Sequence, residues 1–132
     1  MIVYSDSVEG VREDQLQGFF VGWRKVPPSS VHLDVLRNSD HVVLAQDSET
    51  EKVIGFISAL TDNVMTAYID LLEVLPAYQS QGIGSELMRR MLGKLKDLYM
   101  IDLLCDADMQ PFYERFGMQK TTGMMLRNMH DR

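Results

Sequence analysis

One cysteine, Cys105, is all the chain contains. A lone thiol closes no intramolecular disulfide and builds no cysteine-based zinc site. It ends the run Ile101-Asp102-Leu103-Leu104-Cys105 and reads as a strand-end thiol. A nucleophilic role would need a histidine partner, and His32, His41 and His130 lie in segments that suggest no triad. Basic residues are few: 13 Lys and Arg stand against 19 Asp and Glu, a net charge of −6. They are scattered, with no basic stripe, so nucleic acid and anionic membrane surfaces are not expected partners. The negative balance mildly suits a cationic substrate such as an amine, and otherwise serves solubility. Long apolar runs are also missing, and none approaches the ~20 residues of a membrane span. Met1-Ile2-Val3-Tyr4 is followed at once by polar residues rather than by a leader pattern, which gives the expectation of a cytoplasmic protein.

What is present is ordinary globular composition, with 45% hydrophobic and 24% charged residues in 132. This is the size and texture of one domain, 1-132. Ile2 to Tyr4 reads as a strand. Val11, Leu16, Phe19, Phe20 and Trp23 fall roughly on one face and predict a helix over 11–23, stopped by Pro27-Pro28. Ser29 or Ser30 can cap a second helix to Asn38, with Val31, Val35 and Leu36 turned inward. Strands are predicted over 41–46, 53–60 and 65–74, with polar turns between them that imply antiparallel hairpins. A two-glycine loop over 76–84 leads into a helix over 85–98. A strand over 100–105 and a short helix over 110–116 follow, with Pro111 in that helix's first turn and Gly117 at its end. The last strand is expected over 118–129. The order β-α-α-β-β-β-α-β-α-β predicts an α/β fold: a mixed, mostly antiparallel twisted sheet with helices on both faces.

The stretch most informative about function runs from Leu72 to Ser85. It passes from a strand end through Val74-Leu75-Pro76 and Gln79-Ser80-Gln81-Gly82-Ile83-Gly84 into a helix. The first turn of a helix offers N–H groups without internal partners, at the positive end of its dipole. Glycines let a ligand approach that backbone, so the combination is an anion site. A nucleotide loop of the Gly-Lys-Ser/Thr kind is excluded, because Gly84-Ser85-Glu86 has no lysine. The dinucleotide fingerprint fails at its third glycine, where Leu87 stands. Asp102, at a suitable distance for a ribose contact, would open its strand rather than end it.

The string Gln-x-x-Gly-x-Gly after Val-x-Pro resembles motif A of the Gcn5-related N-acetyltransferase (GNAT) superfamily. Gln79, Gly82, Gly84, Val74 and Pro76 fill its positions. Phe112-Tyr113-Glu114-Arg115-Phe116-Gly117-Met118 resembles that superfamily's late Phe-Tyr-x-x-x-Gly-Phe element, with Met118 for the last Phe. The resemblance covers nearly the whole chain and looks like that of a small bacterial-type member.

It implies acetyl-CoA as acyl donor, lying where two strands splay apart, and no metal. Leu72, Glu73 and Val74 would face the pantetheine arm. Gln79, Ser80, Gln81, Gly82, Ile83, Gly84 and Ser85 would hold the pyrophosphate, with Asp106 and Tyr113 also at the cofactor. A primary amine would attack the thioester directly, with Tyr113 as general acid toward the leaving thiolate. Two departures stand out. The family's strand glutamate aligns with Tyr68, so the base falls to Asp70 or Glu73. An asparagine seven residues before the tyrosine is here Asp106, whose ionised form cannot donate a hydrogen bond. Phe20, Trp23 and Asp62 are candidates for lining the acceptor pocket, and a homodimer is possible. The alternatives are a non-catalytic acyl-CoA-binding sensor, or an interaction domain that kept the fold without the ligand.

Overall fold

Runs of Val, Ile, Leu and Ala become a five-stranded sheet in the computed structural model, which describes residues 1–128. Its strands are β1 (Ile2–Ser5), β2 (His41–Asp47), β3 (Val53–Thr61), β4 (Thr66–Val74) and β5 (Met100–Asp102), hydrogen-bonded in that order. The first three pairings are antiparallel, while β4 and β5 are parallel. A parallel pair needs a crossover. Helix α2 (Ile83–Lys94) provides it, and helices α1 (Ser29–Asn38) and α3 (Gln110–Glu114) complete the set.

The central strand explains the layering. Every residue of β3 from Val53 to Ala59 is buried, as expected of a strand covered on both faces. A side chain on Gly55 would meet Leu87 and Ile83 of α2, so that face belongs to α2. Phe56, one residue on, points to the opposite face and packs on His32 of α1 and on Phe19. The α2 face is filled by Ile83, Leu87, Met88 and Met91, spaced to fall on one side of the helix.

The architecture agrees with the mixed sheet expected, and five local expectations are corrected. Residues 11–23 contain only one turn of 3-10 helix, Glu13–Gln15. Gly18, Phe20 and Gly22 all have positive φ, at 97°, 64° and 86°, which no helix can contain. Leu16, Phe19 and Phe20 are buried all the same, so the apolar spacing reports burial of a folded loop and not a helix. Helix α1 starts after Pro28, which makes no side-chain cap, and it turns His32, Leu33 and Leu36 inward. Helix α2 begins at Ile83 and ends at Lys94, short of Leu98, where the Leu95 N–H is shared between the Met91 and Leu92 carbonyls. Strand β5 stops at Asp102, and residues 118–128 join no ladder. Met124, Met125 and Leu126 there are exposed, so β-propensity has no face to bury. The remainder of that expected strand, Met129, lies outside the described residues.

Candidate functional site

The site begins where two neighbouring strands part. Strand β4 pairs with β3 along its length, but with β5 only through Thr66, Ala67 and Tyr68. The register between β3 and β4 slips between Ser58 and Ala59, which pair with Leu71 and Ile69. Asp70 is therefore the extra residue of a bulge, and bulges bend and twist the strand that carries them. From Ile69 to Val74 the β5-side edge of β4 has no strand partner, and Leu71, Leu72, Glu73 and Val74 are half-buried along it. Apart from the Val74 carbonyl, which Gln79 takes, the backbone groups on that edge are free to bond an extended ligand.

At the end of that edge lies the glycine loop. A turn at Pro76–Tyr78 leads to Gln79, whose side-chain Nε2 donates to the Val74 carbonyl at 2.9 Å and ties the loop to the strand. The Tyr78 hydroxyl donates to Asp47 at 2.9 Å and anchors the same loop to β2. Ser80 and Gly82 take the left-handed backbone, at φ 64° and 83°. Gly82 is the N-cap of α2 and supplies no side chain to it; the first bond into the helix is Glu86 N–H to Gly82 O, at 3.1 Å. The N–H groups of Ser80, Gln81, Gly82, Ile83, Gly84 and Ser85 thus have no acceptor among the described residues. A side chain at Gly82 would meet nothing within 4 Å, so the space above it is open. A run of unpaired donors at a helix N-terminus is a built anion site. Glu86, the acid of that first turn, is drawn off by Arg90 at 2.8 Å and Arg89 at 2.9 Å, and these two cations hold its carboxyl below its usual range.

Four acidic residues singled out in the sequence occupy different places. Glu73 faces away from α2, and its two oxygens accept the N–H groups of Phe20 at 2.9 Å and Val21 at 3.2 Å. Asp70 accepts the hydroxyl of the fully buried Ser58 at 3.0 Å, on that same side of the sheet. Asp62 accepts three backbone N–H groups, from Val64, Met65 and Thr66, and serves the β3–β4 turn. Those bonds hold its carboxyl below its usual range. Asp106 opens the 3-10 turn before α3 without a side-chain cap bond.

Helix α3 closes the loop side of the cleft. The Phe112 ring lies 3.8 Å from where a side chain on Gly84 would sit. Tyr113 stacks edge-on against it with centroids 5.0 Å apart. Burial, with Cys105 a lesser cause, pushes the Tyr113 hydroxyl up to about 12. It holds its proton at neutral pH and acts as a donor. Cys105 is exposed; partial desolvation of its sulfur, with Asp106 and Asp108 nearby, raises its thiol, the opposite of what a nucleophile needs.

On the far face, Phe20 is buried and covers His32, with rings 4.8 Å apart, while Trp23 stacks on Phe20 and is half exposed. Sequence reasoning passes over His32 except to deny it a triad. The signal was its place between Val31 and Leu33, on the inward side of a helix.

The sequence profile of the acetyltransferase (GNAT) family matches residues 8–118. Among solved structures, a candidate acetyltransferase from Deinococcus radiodurans R1 is 46% identical, with a TM-score of 0.93 over 96% of this chain and 88% of that one. A GNAT-family acetyltransferase from Streptococcus pneumoniae TIGR4 is 30% identical, with a TM-score of 0.78 over 98% of this chain and all of that one. The N-acetyltransferase ycf52 of Porphyra purpurea, itself uncharacterized, is 28% identical over 103 residues, 76% of this chain. The chain spans 59% of that relative's length. No helix among the described residues is long and apolar enough to cross a membrane.

Proposed function

Because the chain belongs to the acetyltransferase (GNAT) family, we propose that it moves the acetyl group of acetyl-CoA to a primary amine by direct attack in a ternary complex. The observation that carries this reading is the junction of two unpaired backbone surfaces. The β4 edge from Ile69 to Val74 runs into the unpartnered N–H groups of Ser80 to Ser85. The pantetheine arm, itself a chain of amides, suits the first, and the pyrophosphate suits the second. Leu72, Glu73 and Val74 contribute backbone to the arm. Gln79, through its bond to Val74, holds the turn that aims the donors. Anchored along its length, the donor presents its thioester at the bulge, and fixing both reactants lowers the barrier by several kcal/mol.

In the reaction, the amine nitrogen bonds to the thioester carbonyl carbon, the C–S bond breaks, and an amide and free thiol result. A neutral amine is required, so a proton must first leave the ammonium. Asp70 is the better placed of the two base candidates. Glu73 spends both oxygens on the loop, whereas Asp70 has one hydroxyl donor and sits at the strand divergence. A backbone N–H near Val74 stabilises the tetrahedral oxyanion. Tyr113 serves as the acid toward sulfur. With its hydroxyl pushed up to about 12, it acts chiefly by donating a hydrogen bond to the developing thiolate. Asp106, when ionised, can only accept, so its contact with the donor is to a hydrogen-bond donor on that molecule or through water.

The same reading takes 1-132 as one catalytic domain, cytoplasmic, using no metal and acting without nucleic acid or membrane; a homodimer is compatible with it. A second reading, an acyl-CoA sensor, draws on Glu73, whose commitment to the loop removes one possible base. Thiol release from acetyl-CoA across a panel of amines decides between the two. Acetylated product with stoichiometric thiol establishes transfer. Tight CoA binding by calorimetry with no amine-dependent thiol release establishes the sensor. Absence of CoA binding removes both.

A further inference from the structure

His32 presents a problem that the transfer chemistry does not solve. It is 1% exposed, and neither Nδ1 nor Nε2 has a hydrogen-bond partner among the described residues. A neutral imidazole carries one donor and one acceptor, and native interiors rarely leave both unmet. The rings packed on it are apolar: those of Phe19, Phe20 and Phe56 lie at 5.2, 4.8 and 4.4 Å, and the nearby polar residues Gln17 and Ser29 make no hydrogen bond to it. A leucine or phenylalanine would pack there without that loss.

His32 also lines a cavity of about 330 Å³, with Leu16, Phe19, Phe20, Val26 and Pro27 among its walls and no charged side chain in its lining. Over it runs the loop in which Gly18, Phe20 and Gly22 hold positive φ. A phenylalanine in that conformation is under strain, and glycines on either side let the segment re-fold around it. The N–H groups of Phe20 and Val21 are held by Glu73, so this loop is tied directly to the strand edge proposed for the acyl donor.

Resting on the acetyl-transfer reading, we propose that this cavity is the acceptor subsite and that His32 determines specificity in it, by hydrogen-bonding a hydroxyl on the aromatic body of an arylalkylamine. Movement of Phe20 opens the imidazole to that hydroxyl. The apolar walls take the ring, and the amine reaches past Glu73 toward the β4 bulge. Polyamines and aminoglycosides, with several charges, find no counter-charge in the cavity.

Tyramine, phenethylamine and spermidine serve as probes, with acetyl-CoA as donor and calorimetry to follow CoA. The proposal expects tyramine to exceed phenethylamine at least ten-fold in kcat/KM, and both to exceed spermidine. His32→Leu abolishes the tyramine preference through KM, leaves CoA affinity within two-fold, and does not lower Tm. In the wild-type protein with CoA bound, tyramine shifts the imidazole NMR signals of His32, a readout that needs neither turnover nor a variant. His32 signals unmoved by saturating tyramine, an unchanged tyramine-to-phenethylamine ratio in His32→Leu, or spermidine as the best acceptor overturns the proposal while leaving acetyl transfer intact. Failure of CoA itself to bind removes the underlying reading instead.

Discussion

Replacing Glu73 by Gln tests whether this carboxylate holds the loop or takes a proton. Its oxygens accept from Phe20 N–H at 2.9 Å and from Val21 N–H at 3.2 Å. Hydrogen bonds to an ionised group contribute ~1.5–3 kcal/mol when shielded, and the one at exposed Val21 contributes less, so the pair amounts to roughly 2–4 kcal/mol. Release lets Phe20 leave its left-handed conformation, which offsets roughly 1–2 kcal/mol. Glutamine keeps one acceptor oxygen but turns an NH₂ toward the second N–H. The net loss is then about 1–2 kcal/mol, a fall in Tm of about 3–8 °C for a chain of this size. Hydrogen exchange at the Phe20 and Val21 amides should quicken by roughly 5–30-fold, the same energy read locally. Steady-state kinetics should show a higher KM for amine, an unchanged KM for acetyl-CoA, and an intact acid limb in the pH–rate profile. If kcat instead falls by ~10²–10⁴ and the acid limb disappears, Glu73 is the general base and the clamp account is wrong.

Asp70→Asn should lower kcat/KM by about 10²–10³ with Ser58 still able to hydrogen-bond the amide, and pH–rate profiles would show loss of the ionisation. Tyr113→Phe should lower kcat about ten-fold or more at constant CoA affinity; unchanged turnover would remove its role toward sulfur. Gly82→Ala adds a side chain at φ 83° with open space around it. It should cost about 1 kcal/mol of stability and weaken CoA about ten-fold, by calorimetry and melting curves. His32 gives a pH signature. Burial lowers it to about 4 from 6.5, so the unfolded chain binds its proton first. Its cost is absent above pH 6.5 and grows as pH falls toward 4, to about 3 kcal/mol by linkage. Denaturant titrations should show His32→Leu gaining on wild type below pH 6 and level slopes above pH 7.

The fold was legible where periodicity and tertiary burial agree. Strands β2 to β4 and the apolar face of α2 were visible in the spacing of Val, Ile, Leu and Met. Residues 11–23 misled because Leu16, Phe19 and Phe20 are buried by a loop, and only Gly18 and Gly22 hinted at the positive φ that forbids a helix there. Residues 118–128 misled in the opposite way, since residues with strand propensity there joined no ladder. The loop proposed to hold phosphate was legible as a turn into a helix because its unpaired N–H groups belong to the backbone, which Gly82 and Gly84 announce. The partners of Glu73 were not, because a carboxylate more than 50 residues from Phe20 and Val21 meets them only through tertiary structure. His32 was written plainly in the sequence, but its lack of partners is visible only once its aromatic surroundings are assembled.

Backbone amide spectra recorded with coenzyme A, and separately with pantetheine, which lacks the pyrophosphate, test the central claim most directly. Coenzyme A should displace the resonances of Ser80 through Ser85, and pantetheine should leave them where they are while binding far more weakly. Amides in that segment that ignore saturating coenzyme A, or equal affinity for the two molecules, would contradict the account.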